Sequence, residues 1–442
     1  MTYTCATLNI QIIMKRIFTI SLALVLHLTS ALAASPTVSD FDSFFKNETL
    51  RLDYIFAGDA LSQAIFLDQM SVSDHWHGKR HRLDEVPMDG NGQVVMTDWQ
   101  TGEVIFRNSF STLFQEWLST PEAKAVSRSF ENVFLTPMPR RKARVTVSLR
   151  DSRHQTVAEM SHIVDPADIL IRHKSTSPAT PYRTLQAADD PERCIHIAFV
   201  AEGFTHEQMP HFLQKAREAQ EAIFTYSPFK ENRGAFNVVA VMSPSEESGP
   251  SEPARGQWRR TALGSHFDTF YSDRYLTTLQ LKKLHDILDG APYEHVIVLV
   301  NTPKYGGGGI LNSYNLTMTD HPLFSEVLVH EFGHSFAGLA DEYAYEGEDD
   351  DMYAPDVEPW ERNITTKVDF ASKWEGMMGT RCDDGVDTVG LYEGAGYKTH
   401  GVWRPTPSCR MRDNTCPTFC PVCKKAIEDV IMFYTKSATQ HK

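Results

Sequence analysis

Residues 322–343 read PLFSEVLVHEFGHSFAGLADEY, and at their centre stands His330-Glu331-Phe332-Gly333-His334. Phe324, Val327, Leu328 and Phe332 recur at helical spacing, which predicts a helix with one apolar face running up to Gly338. Residues four apart on a helix lie on one face a turn apart, so both imidazoles can meet a single metal ion. Glu331 beside them can point at a water held there without being a ligand, which is where a general base belongs. A zinc ion with three protein ligands keeps its fourth position for water and lowers that water's pKa to about 7. The bland reading is a helix whose histidines face solvent or core. With 18 His in 442 residues, chance would produce His-Glu-x-x-His about once in twenty such chains.

The text after the helix points to a third ligand. Gly338 can close the helix with a left-handed cap, and a tight turn through Leu339 and Ala340 would bring Asp341 back to the metal. The spacing is similar to the metzincin pattern, but the glycine and the third ligand each come one residue late and Asp replaces the usual His. Glu342, His400 or a later acid remain alternatives. If Asp341 is not a ligand, it is expected to accept a hydrogen bond from a histidine N–H.

Upstream, 195–201, 236–242 and 296–300 are short continuous apolar runs, the mark of strands buried on both faces. Thr205 and Gln208 form a capping box ahead of a helix whose apolar face carries Met209, Phe212, Leu213, Ala216 and Ile223, and residues 276–288 read as another helix. This β-α-β-α-β order predicts an α/β layer with a largely parallel sheet. The glycine-rich 305–309 lacks the Lys-Ser/Thr ending of a phosphate loop. We expect it to be mobile, like the loop 243–256, and to let 310–318 lie as an edge strand beside a cleft. Further upstream, 93–96 and 103–106 flank a turn, and Val145, Val147 and Leu149 alternate with polar residues, as in half-buried strands. The expected chain is therefore α+β with two domains. An N-terminal all-β sandwich covers 34–171, a linker without apolar period covers 172–193, and an α/β zincin-type catalytic domain of metzincin character covers 194–436.

A formal charge of −14 gives no basic face for a nucleic acid or an anionic membrane. Met14-Lys15-Arg16, the apolar 17–28 and Ala31-Leu32-Ala33 read as an export signal over 14–33, cleaved after Ala33. No later run is apolar for long enough to span a bilayer. The expected product is an exported protein, periplasmic or extracellular, with no membrane span. Six cysteines follow the cleavage point, and export favours disulfides among them. Cys409, Cys416, Cys420 and Cys423 could instead hold a second, structural zinc through Cys420-x-x-Cys423, or stay free thiols. The acidic run 346–351 reads as a solvated loop, with calcium binding as the rival.

The chain resembles the bacterial IgA-peptidase-like zinc metallopeptidases. The resemblance rests on the histidine motif through Ser335-Phe336, on Gly338-Leu339-Ala340-Asp341-Glu342-Tyr343 and Tyr392-Glu393-Gly394-Ala395-Gly396-Tyr397, and on Trp403-Arg404-Pro405, Cys409-Arg410-Met411-Arg412 and Phe419-Cys420-Pro421-Val422-Cys423. It implies a β-rich N-terminal domain, a zincin-type catalytic domain, and a peptidase acting on extracellular proteins, with immunoglobulin A or other host glycoproteins among the candidate substrates. The expected site is one catalytic Zn²⁺ on His330, His334 and Asp341, with Glu331 as general base. Met411 would pass beneath the metal in a Met-turn or serve as a core methionine, and Tyr343, Tyr397 and His400 are candidate oxyanion donors or structural residues. The rival function is a secreted glycan- or protein-binding protein with a vestigial zinc site. Against it, a protein without catalysis has no chemical use for Glu331.

Overall fold

The computed structural model describes residues 41–175, 177–345 and 352–436. The export segment 14–33, Cys5 and the acidic run 346–351 lie outside them. The protein is mixed α/β, with many strands and few helices.

The N-terminal half is built from two four-stranded sheets. One has the order Arg128–Pro139, Phe45–Gly58, Gln63–Asp74, Arg172–His173, and the other Val104–Phe110, Gly92–Asp98, Ala143–Arg150, Thr156–Val164. Alternation along the strands turns Val145, Val147 and Leu149 inward, and aromatic rings close the space between the sheets. Phe45 meets Phe106 at 6.4 Å and Phe56 meets Phe110 at 6.2 Å between ring centroids. Besides the four-residue helix Phe41–Phe44 and a 3-10 turn at Glu122–Lys124, the expected all-β character is interrupted by the helix Leu113–Leu118, capped by the Thr112 side chain. Under two turns long, it buries Leu113, Phe114 and Trp117 but carries too little periodicity to be read from sequence.

The second half is a six-stranded sheet in the order Gly307–Ile310, Tyr314–Met318, His295–Val300, Ile195–Glu202, Phe236–Val241, Tyr182–Gln186. Its four inner strands are parallel and its two outer strands antiparallel. The inner strands are buried on both faces, as their unbroken apolar runs require. The capping box forms ahead of Met209–Ile223, whose Phe212, Ala216, Ala219 and Ile223 enter the same core as Phe324, Leu328, Phe332 and Phe336 of the histidine helix.

Three expectations are corrected. The stretch 172–193 is no bare linker: Tyr182–Gln186 pairs with the Phe236–Val241 strand as a sheet edge, where half-exposed polar residues are tolerated and no apolar period is needed. The glycine run is itself the opposite edge, Gly307–Ile310, while Tyr314–Met318 lies one strand further in. The loop 243–256 is pinned, since Ser245 Oγ accepts from the Gly203 and Ala262 N–H groups at 3.0 and 2.8 Å.

The two halves meet over a buried ion pair. Arg51 is 5% exposed and Asp53 1%. The guanidinium of Arg51 donates to Asp53 at 2.6 Å, and across the boundary to Asp286 at 2.6 Å and the Lys282 carbonyl at 2.9 Å. Removing the cation alone strands a carboxylate in the interior, so Arg51→Ala is expected to destabilise the protein by roughly 3 kcal/mol, read from denaturant midpoints. Among the described residues, no helix is long and apolar enough to cross a membrane.

Candidate active site

The histidine helix runs Phe324–Ala337 and ends at Gly338, whose φ of 58° is the left-handed cap expected there. The cap satisfies the last turn through Gly338 N–H to His334 O and Leu339 N–H to Gly333 O, at 3.0 and 3.2 Å. It also reverses the chain, so that Asp341 returns to the histidines. Asn363 holds this return segment, donating to the Ala340 carbonyl and accepting from the Ala340 N–H, both at 2.8 Å.

His330 Nε2 and His334 Nε2 stand 3.1 Å apart, and Asp341 Oδ1 lies 3.0 and 3.3 Å from them. Each imidazole has its other nitrogen engaged by a backbone carbonyl, His330 Nδ1 by Arg410 O at 3.0 Å and His334 Nδ1 by Leu339 O at 2.5 Å. A carbonyl can only accept, so Nδ1 carries the hydrogen and Nε2 presents a lone pair. Two lone pairs and a carboxylate oxygen thus face one point. Buried Asp341 Oδ1 finds no hydrogen-bond donor. Such a set calls for positive charge at its centre. Burial opposes charge on His334, yet Asp341 outweighs it and would raise the imidazole to about 9. Burial likewise opposes charge on Asp341, yet the histidines hold its carboxyl far below the usual carboxylate range. A divalent cation meets the same demand without a proton. Donors on a tetrahedral zinc, each about 2.0–2.1 Å from the ion, stand about 3.3 Å apart, so the residues present fit the metal.

Glu331 sits on the same helix beside this point. Burial draws its carboxyl above the ordinary range, and the two histidines pull it back. The glycine edge strand packs directly on this part of the helix. A Cβ on Gly307 would come within 3.0 Å of Glu331 Oε1, and one on Gly309 within 2.3 Å of the Glu331 carbonyl oxygen. The run of glycines is therefore a close-packing device. Gly309→Ala is expected to cost roughly 1–3 kcal/mol by forcing strand and helix apart, measured by thermal or denaturant unfolding.

Met411 is fully buried beneath the helix, where a Cβ on Gly333 would meet its sulfur at 2.8 Å, and its carbonyl accepts from Glu342 N–H at 2.8 Å. This bears out the core reading of Met411. The three oxyanion candidates separate. Tyr397 donates its hydroxyl to Asp341 Oδ2, and the Tyr343 ring lies within 16° of parallel to that of His330. His400 is exposed on the hairpin after the site and pairs with Glu393 at 3.7 Å, away from the histidines. Glu116, from the short helix of the sandwich half, went unnoticed in the sequence. Tyr275 donates to it, burial raises its carboxyl to about 7, and it lies near enough to feel the charges of His334, Glu331 and Asp341. Nothing local in residues 113–118 marks it, because more than two hundred residues separate it from the motif.

The six described cysteines form no disulfide, which leaves the favoured sequence expectation without support among them.

Residues 40–161 match the family described as Peptidase M64 N-terminus, and residues 184–383 and 380–431 match IgA Peptidase M64. No curated protein matches the chain. With these matches spanning both the sandwich half and the half that carries the histidine helix, the chain belongs to the IgA peptidase M64 family of metallopeptidases.

Proposed function

We propose that the protein is an exported zinc endopeptidase in which His330, His334 and Asp341 hold the metal and Glu331 is the general base. The convergence of His330 Nε2, His334 Nε2 and Asp341 Oδ1 within 3.0–3.3 Å of one another carries this reading. Bound zinc supplies Lewis acidity, polarising the scissile carbonyl and acidifying the attacking water. Glu331 takes the proton from that water and passes it to the leaving amine. The Arg410 and Leu339 carbonyls keep both imidazoles in the binding tautomer, and Tyr397 orients Asp341 while leaving Oδ1 free.

The mixed sheet with the histidine helix packed against its glycine edge supports a zincin-type catalytic domain over 194–436, preceded by a sandwich domain over 34–171. The signal-like 14–33 supports export. The family description points to immunoglobulin A, but substrate choice resides in clefts and loops that vary on one scaffold, so the proposed substrates are extracellular proteins, immunoglobulin A among them. The test is cleavage of immunoglobulin A and of an unfolded casein-like protein, with and without a chelator. Chelator-sensitive cleavage of either supports the peptidase, and cleavage of immunoglobulin A alone the narrow form. Cleavage of neither, by protein shown to carry metal, would overturn the reading.

A further inference from the structure

A second group of donors lies directly behind the first. Glu342, Cys409, Cys420 and Cys423 place one ligand atom each within 4.8 Å of one another, and all four residues are buried. Cys409 Sγ and Cys423 Sγ are 3.7 Å apart, and Cys423 Sγ is 3.1 Å from Glu342 Oε1. Two thiolates on a tetrahedral zinc, each at about 2.3 Å, stand about 3.8 Å apart.

We propose that Glu342, Cys409, Cys420 and Cys423 bind a second metal ion, a structural zinc. Two further observations favour an ion here. Glu342 is 0% exposed, and its Oε2 has no hydrogen-bond partner, although Asn363 donates to Oε1 at 3.0 Å. An unsatisfied carboxylate oxygen in the interior is costly unless a cation or donor meets it. Two of the sulfurs accept from the backbone: Cys409 Sγ receives the Cys420 N–H at 3.3 Å, and Cys420 Sγ, at the cap of the helix Pro421–Thr435, receives the Cys423 N–H at 3.5 Å, while Cys423 Sγ donates to Glu342 Oε1. At Cys420 the backbone donor and the helix N-terminus favour the thiolate form that a metal requires. A disulfide could use only two of the three cysteines and would leave the third beside an unmet carboxylate. One zinc satisfies all four groups, and a closed set of four protein ligands marks a structural site. Cys416, which sequence spacing grouped with the others, turns away and donates to the Thr418 carbonyl at 3.3 Å; Glu342 takes the fourth place.

The site ties together the segments that shape the active centre. Glu342 follows Asp341 in the chain, Cys409 precedes Arg410, whose carbonyl accepts from His330, and Cys420 and Cys423 open the C-terminal helix. The ion would thus brace the catalytic ligands from behind, and its presence does not depend on the peptidase reading.

The test is zinc content by mass spectrometry on the full exported protein purified without chelator, with the H330A/H334A variant in parallel. Two zinc per chain are expected in the parent and one in the variant. Cobalt exchanged into the variant should show intense thiolate-to-cobalt charge-transfer absorption in the near ultraviolet, lost in H330A/H334A/C423S. The parent protein supplies an independent readout that needs no variant: Cys409, Cys420 and Cys423 should resist alkylation until zinc is stripped and then react as free thiols. A zinc-free H330A/H334A variant from preparations whose parent carries one zinc would overturn the proposal. So would a disulfide joining any two of the three cysteines in peptide maps. Absence of peptidase activity with two zinc retained would count against the catalytic reading alone.

Discussion

Glu331→Gln is expected to lower peptide hydrolysis by about a thousand-fold while leaving the metal content unchanged, the scale of loss when a positioned general base is removed. The amide has the size and shape of the carboxylate, so the contact with the glycine edge strand at Gly307 survives. The proposed ligand atoms lie on His330, His334 and Asp341, so the metal is expected to stay. What disappears is an acceptor for the water's proton and its delivery to the leaving amine. The measurement is kcat on an unfolded protein substrate together with zinc per chain. A Gln variant retaining a tenth or more of the parent rate would remove Glu331 from the mechanism. One that lost its zinc as well would mean that the carboxylate supports the metal set and that its effect on rate is indirect.

His334→Ala is expected to abolish hydrolysis and to release the active-centre metal on dialysis. The remaining donors, His330 and Asp341, would be two of the three proposed ligands, and a two-ligand site cannot hold zinc against water and buffer. The loss reaches beyond the imidazole. Its Nδ1 hydrogen bond to the Leu339 carbonyl, at 2.5 Å, helps fix the turn that returns Asp341. The Leu339 carbonyl would lose that donor, and Asp341 would keep one imidazole in place of two. Zinc stoichiometry falling by one and cleavage falling to background are the expected pair of results. Hydrolysis persisting without that zinc would show that the chemistry is carried elsewhere in the chain.

How far the sequence could be read follows the range of the interactions involved. Motifs that act within one turn or one strand were legible. The i, i+4 histidines, the Thr205–Gln208 capping box, the left-handed Gly338 and the unbroken apolar strands each rest on backbone geometry spanning a few residues. The return of Asp341 was legible almost as well, because a helix cap followed by a short turn leaves few directions for the next residues. The glycine run shows where local reading stops. From sequence it is a flexible loop. Its role as a sheet edge depends on the histidine helix lying so close that a side chain at Gly309 would collide with the Glu331 backbone.

The sequence by itself determined the histidine helix with Glu331 at its centre and the order of a β-rich half followed by an α/β half, since these are written in spacing and periodicity, while the family followed from the resemblance its motifs carry. Only the tertiary structure decided that Glu116 from the sandwich comes within electrostatic reach of the histidine site, that 172–193 supplies a sheet edge, and that Glu342 replaces Cys416 among the cysteines. Each of those joins residues far apart in the chain, and such partners are chosen by packing and by the need to pair buried polar groups, which no local pattern records.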